Sequence, residues 1–326
     1  MRFGLFGMNA TGGLVMTKTP KWKPSYELIA SKLSYLEKNI SSKIPLVFIP
    51  ISRWKGYSGA RDTAADAIES ISLASFLLSR TKSTKIFSTI TSFAYEPELV
   101  GHISARLNYE FDNRFAINFV GGWKRDEYEY FKKPFLNTSK LIYEKAEYWT
   151  QRFRLAEDTH AKTLVELLGC NSDFKKTELI CAAFSKEGRD FASKYSDSLF
   201  TTIVKSQINK ENLSNLCSAI SVFVREDLSA AEEYYKNLLI DNCDNESAKN
   251  FCSSLAENNP IKSFMNLKNI HLVKSGAGIE EIITDFSGLK EFILKCKNSR
   301  LQTLLFALPD YEKSLDLVIS AVEEVY

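Results

Sequence analysis

The stretch Asp112–Phe131, DNRFAINFVGGWKRDEYEYF, decides the fold. Phe115, Ile117 and Phe119 alternate with Ala116, Asn118 and Val120, and both sets are apolar apart from Asn118. A strand apolar on both faces belongs in a parallel sheet covered by helices. Gly121 and Gly122 end it, where bare backbone lets another group come close. A charged segment beginning at Lys124 then enters a helix. Asn118 puts one amide where the surroundings demand hydrocarbon. A buried amide costs free energy unless it is paired, so a polar group is expected to meet it. A core Asn satisfied by neighbouring backbone and an Asn facing a ligand fit these residues equally.

Outward from this stretch the same pattern repeats. Arg2–Met8, Leu46–Pro50, Lys85–Ser92, Glu178–Ala183, Ser198–Val204, Ser218–Val224 and Leu301–Leu308 also read as short buried strands. Amphipathic segments lie between them. Leu28, Ile29, Leu33, Leu36 and Ile40 share a helical face, with Pro24 and Ser25 at its start. Pro97–Phe111, Ser139–Phe153, Ser229–Leu239 and Tyr311–Tyr326 supply further helices. Strands alternating with helices in this number predict an α/β fold, a closed (β/α)8 barrel, with an open doubly wound sheet as the rival. Two regions break the rhythm: Leu155–Lys176 is polar and helical in pattern, and Asp241–Ser275 reads as an insertion before the last helix–strand unit.

The length of 326 residues allows about two domains. A single barrel also reaches this size, and one domain over residues 1–326 with an insertion around 241–275 is the expectation. A net charge of +2 offers no electrostatic case for nucleic acid or a membrane surface. MRFGLFGMNATGG at the N-terminus reads as a first barrel strand rather than a signal peptide. No apolar run approaches the roughly 20 residues that span a bilayer. Cys170, Cys181, Cys217, Cys243, Cys252 and Cys296 show no metal-binding spacing, so reduced core thiols in a cytoplasmic protein are expected. With three scattered histidines, no metal site is expected.

In a (β/α)8 barrel, side chains at the C-terminal strand ends converge on one face. Asn9, Ser52, Arg53, Thr89, Thr91, Asn118, Glu127 and Ser185 fall at such ends. Taken singly, Thr89 or Thr91 is an ordinary strand residue and Glu127 an ordinary carboxylate at a helix start. Trp123, after two glycines, fits plain core as well as a cavity wall.

FVGGWKRDEYE resembles the signature of the bacterial-luciferase-like flavin monooxygenases, NLVTGW or NVVTGG, and most closely their pyrimidine-oxidising members. KWKPSYELIASKL (Lys21–Leu33), RWKGYSG (Arg53–Gly59), IFSTIT (Ile86–Thr91) and NRFAINFVGGWKRDEYE carry the likeness through roughly the first 150 residues, and ICAAFSKEGRDFASKYSD (Ile180–Asp197) is a further island. The resemblance implies a (β/α)8 barrel that uses reduced FMN, delivered by a separate flavin reductase, with O2 to oxygenate a small-molecule substrate. That substrate is expected to be heterocyclic or amide-bearing. The resemblance also implies a homodimer or a heterodimer with a related chain.

It assigns roles position by position. Ser52 and Arg53 match contacts to the flavin ring, Asn118 the Asn near its reactive edge, and Thr89 a Thr that lines an oxygen pocket with that Asn. Glu127 matches a flavin contact, Tyr143 the Tyr of an Arg-Tyr pair, and Ser185 a phosphate-side Ser. An amide and a hydroxyl suit an oxygen pocket because both donate hydrogen bonds without titrating near neutral pH.

The chain departs from the pattern at the phosphate end. KLIYE places Ile142, or Leu141 with a one-residue shift, where the family has Arg. AAFS replaces a glycine-rich turn with Ala183 and Phe184, and VGGW lacks the family Thr. Losing a bidentate cation together with a glycine weakens phosphate binding, and Lys140 or Lys186 is at hand as a replacement point charge. A catalytically reduced paralogue serving as a partner subunit, and a flavin-binding protein without turnover, therefore stand beside the enzyme as alternatives.

Overall fold

A computed structural model describes residues 1–20, 22–168, 174–202, 205, 215–257, 270–276, 278–299 and 301–326. Its strands are β1 (Arg2–Phe6), β2 (Leu46–Ile49), β3 (Lys85–Thr91), β4 (Phe115–Val120), β5 (Glu178–Ala182), β6 (Ser198–Thr201), β7 (Leu216–Val224), β8 (Glu281–Thr284) and β9 (Thr303–Ala307). Every pairing between them is parallel. Strands β1 to β7 follow in order, and β9 closes the ring between β7 and β1. The closed eight-stranded barrel expected from the sequence is present.

Strand β8 is an addition to it. Ser218 of β7 sits between Thr201 and Leu304, and Ser221 sits between Glu281 and Ala307. Strand β8 thus continues the flank of β7 that the shorter β6 leaves open, satisfying backbone groups that would otherwise be unpaired. Strand β6 ends at Thr201, with Thr202 in a bend, short of the Val204 expected from the sequence; residues 203–204 lie outside the described set.

The helices are α1 (Tyr26–Asn39), α2 (Ser70–Arg80), α3 (Pro97–Glu110), α4 (Arg125–Tyr130), α5 (Ser139–Leu168), α6 (Lys186–Tyr195), α7 (Leu228–Lys236), α8 (Asn245–Glu257), α9 (Ile270–Gly276), α10 (Phe286–Asn298) and α11 (Leu315–Val325). Side-chain oxygens of Ser25, Glu69, Ser185, Asp227 and Asp285 accept from first-turn N–H groups, which fixes where five of them begin. Helix α5 runs unbroken through Phe153 to Leu168, joining two segments that the sequence treats separately. A π-helical turn, Asn237–Asp241, follows α7. No helix among the described residues is long and apolar enough to cross a membrane.

Alternation along the strands sorts the core into two layers. Phe3, Leu5, Phe48, Ile86, Ile117 and Phe119 pack outward against the helices. Phe6, Val47, Phe87, Ala116, Ile180 and Leu305 fill the barrel interior. Asn118 shares the face of Ala116 and so points inward. At the N-terminal end the interior holds charge. Glu178 pairs with Arg2 at 2.5 Å and Lys85 at 2.9 Å, and Arg2 Nε donates to Thr303 at 2.8 Å. Burial works to raise the Glu178 pKa, but these two cations hold it below the usual carboxylate range.

Candidate active site

The strand ends open on a cavity of about 210 Å³ at the C-terminal face of the barrel. Its floor is set by the register of β3 and β4, which places Thr89 directly beside Asn118. Asn118 Nδ2 donates to Thr89 Oγ1 at 3.0 Å, and Thr89 Oγ1 donates to the carbonyl of Pro50. Both side chains are almost fully buried. Asn118 Oδ1 has no partner among the described residues, nor has Thr91 Oγ1, two residues along the same face as Thr89. A buried, unpaired polar atom facing a cavity is costly unless an occupant pairs it. Thr89 lines the cavity beside Asn118, but its proton is committed to Pro50, so it faces the cavity as an acceptor rather than as the donor expected from the sequence.

A second wall comes from the segment after β2. Arg53 stacks over Trp123 at 5.2 Å and over Tyr57 at 5.5 Å, and Nη1 donates to the Ser52 carbonyl at 3.2 Å. It forms no ion pair among the described residues. Burial acts to lower its pKa, yet Tyr57, Glu127 and Asp126 hold it above its ordinary value. Arg53 is therefore a permanent cation at the wall. Glu127, at the start of α4, accepts from Trp54 N at 3.0 Å and is buried. Trp123 lines the cavity, against Phe251 of α8.

Lys124 was not singled out from the sequence, yet it ties these parts together. Its Nζ donates to the carbonyls of Lys55 at 2.7 Å and Gly56 at 2.6 Å, and pairs with Asp126 at 2.9 Å. The ammonium also lies 4.9 Å from the Tyr57 ring centre. Burial pulls its pKa down while Asp126 opposes that shift. The only signal was a Lys and an Asp two residues apart beside Trp123, which reads more simply as a solvated helix start. Tyr57, Phe251 and Leu255 were also missed as lining residues. The last two belong to α8 in the Asp241–Ser275 insertion, which does contribute to the cavity wall. Residues 258–269 of that insertion lie outside the described set.

The opposite end of the cavity is apolar. Ile142 is buried and lies so close to Gly121 that a Cβ there would sit 2.6 Å from it. Tyr143 lines the same end, and burial raises its hydroxyl pKa far above the physiological range. Gly188 in the first turn of α6 makes room for it: a Cβ there would lie 2.6 Å from the Tyr143 hydroxyl oxygen. Ser185 reaches the cavity, but its Oγ accepts from Gly188 N at 3.1 Å and caps α6. Lys140 and Lys186 are turned outward into surface pairs with Glu144 and Asp190, so neither replaces the missing Arg. Asn9 is also reassigned: its amide is fully used by the backbone of Ile51 and Ile68, making it a structural clamp.

No protein-family model matches the chain. The pyrimidine monooxygenase RutA of Caulobacter vibrioides is 27% identical over 219 residues, covering 61% of this chain and 58% of that protein. The RutA of Yersinia enterocolitica is 25% identical over 210 residues, covering 60% and 55%. The chain thus spans somewhat over half the length of the curated relatives it matches. Among solved structures, a riboflavin lyase superposes with a TM-score of 0.74 at 12% identity, covering 99% of this chain and 91% of that one. A long-chain alkane monooxygenase gives 0.73 at 13% identity, with coverage of 99% and 91%. An EDTA monooxygenase from Chelativorans gives 0.68 at 11%, with coverage of 100% and 93%. The chain is thus similar in sequence to these pyrimidine monooxygenases over about three fifths of its length, and it shares the barrel fold of these solved structures.

Proposed function

We propose that this chain is an FMN-dependent monooxygenase acting on a small heterocyclic or amide-containing substrate. The observation that carries the reading is the in-register Thr89–Asn118 pair, buried beneath a cavity walled by Arg53, Trp123 and Glu127. The residues fit the ring end of the cofactor. An apolar, aromatic-walled slot suits isoalloxazine, Arg53 and Ser52 lie at its edge, and Asn118 Oδ1 and Thr91 Oγ1 await partners. The phosphate end fits less well, since the position of the family Arg is filled by buried Ile142 and neither Lys140 nor Lys186 replaces it.

Bound in its reduced form, FMN supplies the reaction with O2. The protein's own part is positioning and exclusion. Phe251 and Leu255 of α8, with Trp123, keep water from the floor, where a hydrogen bond gains strength from the low local dielectric. Asn118 fixes the orientation of the group that meets it, and Arg53 favours negative charge at the ring edge. Glu127 holds Trp54 N, and so keeps the Arg53 segment in place. We further propose that a separate flavin reductase supplies the cofactor, that the chain acts in the cytoplasm as one barrel unit, and that it works as a homodimer or paired with a related chain.

Oxygen uptake tests the reading. With a flavin reductase, FMN and a panel of pyrimidines and lactams, substrate-dependent uptake is expected in the wild type and not in Asn118→Ala. The apolar phosphate end favours a second reading, a partner subunit with reduced catalytic function. Absence of uptake together with absence of FMN affinity would select it.

A further inference from the structure

The outer side of α5, the longest of the described helices, carries an apolar stripe that no described residue covers. Leu141, Tyr148 and Leu155 recur every seven residues and are 45%, 57% and 70% exposed. A seven-residue repeat drifts by only about 20° per step on a straight helix, so the three side chains stand on one face. The inner side of the helix is already spent, with Ile142, Ala146, Trp149 and Phe153 buried. A single exposed Leu needs no explanation, but a row of large apolar side chains at heptad spacing marks a helix seam.

The polar residues beside the stripe decide what it fits. Glu144 and Arg152 lie four residues either side of Tyr148, and Lys145 and Gln151 lie three either side. In an antiparallel pairing about a two-fold axis at Tyr148, each residue meets the one equally far on the other side of the axis. Leu141 then faces Leu155 of the partner subunit, Glu144 faces Arg152 of the partner subunit, and Lys145 faces Gln151 of the partner subunit. A parallel pairing in register would set Glu144 beside Glu144 of the partner subunit and Arg152 beside Arg152 of the partner subunit, which opposes like charges. Arg152 uses Nε on Glu98 and donates from Nη1 to the Tyr148 hydroxyl at 2.7 Å, so its Nη2 is free among the described residues to reach across.

We propose that the Leu141–Tyr148–Leu155 stripe of α5 is a homodimer seam, paired antiparallel with the same stripe of a second copy of this chain. The proposal gives a surface to the homodimer suggested above and does not depend on the flavin reading. From Leu141 to Leu155 the stripe is about 21 Å long. One helix pair of that length lies at the small end of specific interfaces, below roughly 1,200 Å² in total, where association is weak and reversible.

Sedimentation of the full chain between roughly 1 and 100 µM is the first arm of the test, and a reversible monomer–dimer equilibrium is expected in that range. Leu155→Asp places a charge on an exposed position, so the fold should be kept, as circular dichroism verifies, while the dimer weakens by roughly tenfold or more. Cysteine cross-linking under mild oxidation is the second arm, because a disulfide forms only where two Cα atoms come within roughly 7 Å. Tyr148→Cys, on the axis, is expected to link to itself across the two copies. Leu141→Cys and Leu155→Cys should link to each other when mixed, and much less each to itself. Wild type and Leu294→Cys, a 46% exposed position on α10, control for the native thiols and for random collision. A chain that stays monomeric over the whole range overturns the proposal. So does a dimer that survives Leu155→Asp unchanged, which puts the contact on another face. Self-linking of Leu141→Cys and of Leu155→Cys without a mixed product shows a parallel pair and overturns the antiparallel seam. None of these results bears on flavin binding, which an FMN titration of the same samples reads separately.

Discussion

At the scale of single residues, the floor pair and the buried lysine carry separable jobs. Asn118→Ala removes the group that faces the reacting atoms while leaving the apolar packing of β4 unchanged. Oxygenation should fall by roughly 100-fold or more, with affinity for oxidised FMN changing little, because such a group acts mainly on the transition state. Comparing turnover with equilibrium FMN binding checks this. Lys124→Met keeps the aliphatic stem and deletes the ammonium that holds the carbonyls of Lys55 and Gly56. The expected result is a loss of about 1–3 kcal/mol in stability, the cost of unsatisfied buried carbonyls, measured by denaturant unfolding. FMN should also bind more weakly, since Tyr57 and Arg53 sit on that segment.

At the scale of elements, the missing guanidinium has a direct test. Ile142 lies at the start of α5 and lines the cavity, so Ile142→Arg restores a planar cation at its apolar end. FMN should bind roughly tenfold tighter, given the strength of charge-assisted hydrogen bonds to phosphate, while riboflavin, lacking the phosphate, gains nothing. Equal gains for both ligands would place the phosphate elsewhere. The barrel strands were legible because each is a short apolar run with turn residues at its ends. Strand β8 was not, since EIIT spans four residues just after a polar insertion; its reason is an unfilled flank of β7, visible only once β6 and β9 are in place. The join of α5 through Phe153 was missed because the polar composition after Leu155 masks a continuous helical face that buries Glu157, Ala161 and Leu164. Thr89 and Asn118 were legible as a pair, but the direction of their hydrogen bond depends on Pro50, far away in sequence.

At the scale of the whole molecule, the two ends of the barrel hold opposite contents. The C-terminal end is a cavity with unpaired acceptors; the N-terminal end is closed by Glu178 with Arg2 and Lys85. Glu178 has a folded pKa below its unfolded value, so the unfolded chain binds more protons as pH falls and stability drops with it. Its contribution is complete above the ordinary carboxylate range and is lost as pH falls through the depressed folded value. Glu178→Ala strands two cations and should cost about 3 kcal/mol near neutral pH. The gap between variant and wild type should narrow under acid, as read by thermal unfolding across the carboxylate range. A constant gap at all pH values would mean that the ion pairs contribute nothing to stability.

The central claim is that the cavity above Thr89 and Asn118 holds a flavin ring. A crystal structure grown or soaked anaerobically with reduced FMN tests it most directly. The account predicts an isoalloxazine between Trp123 and the barrel floor, with Asn118 Oδ1 in hydrogen-bond contact with the ring and the Arg53 guanidinium at its edge. A ring bound elsewhere on the protein, or a cavity without flavin under conditions where binding is measured in solution, would contradict it.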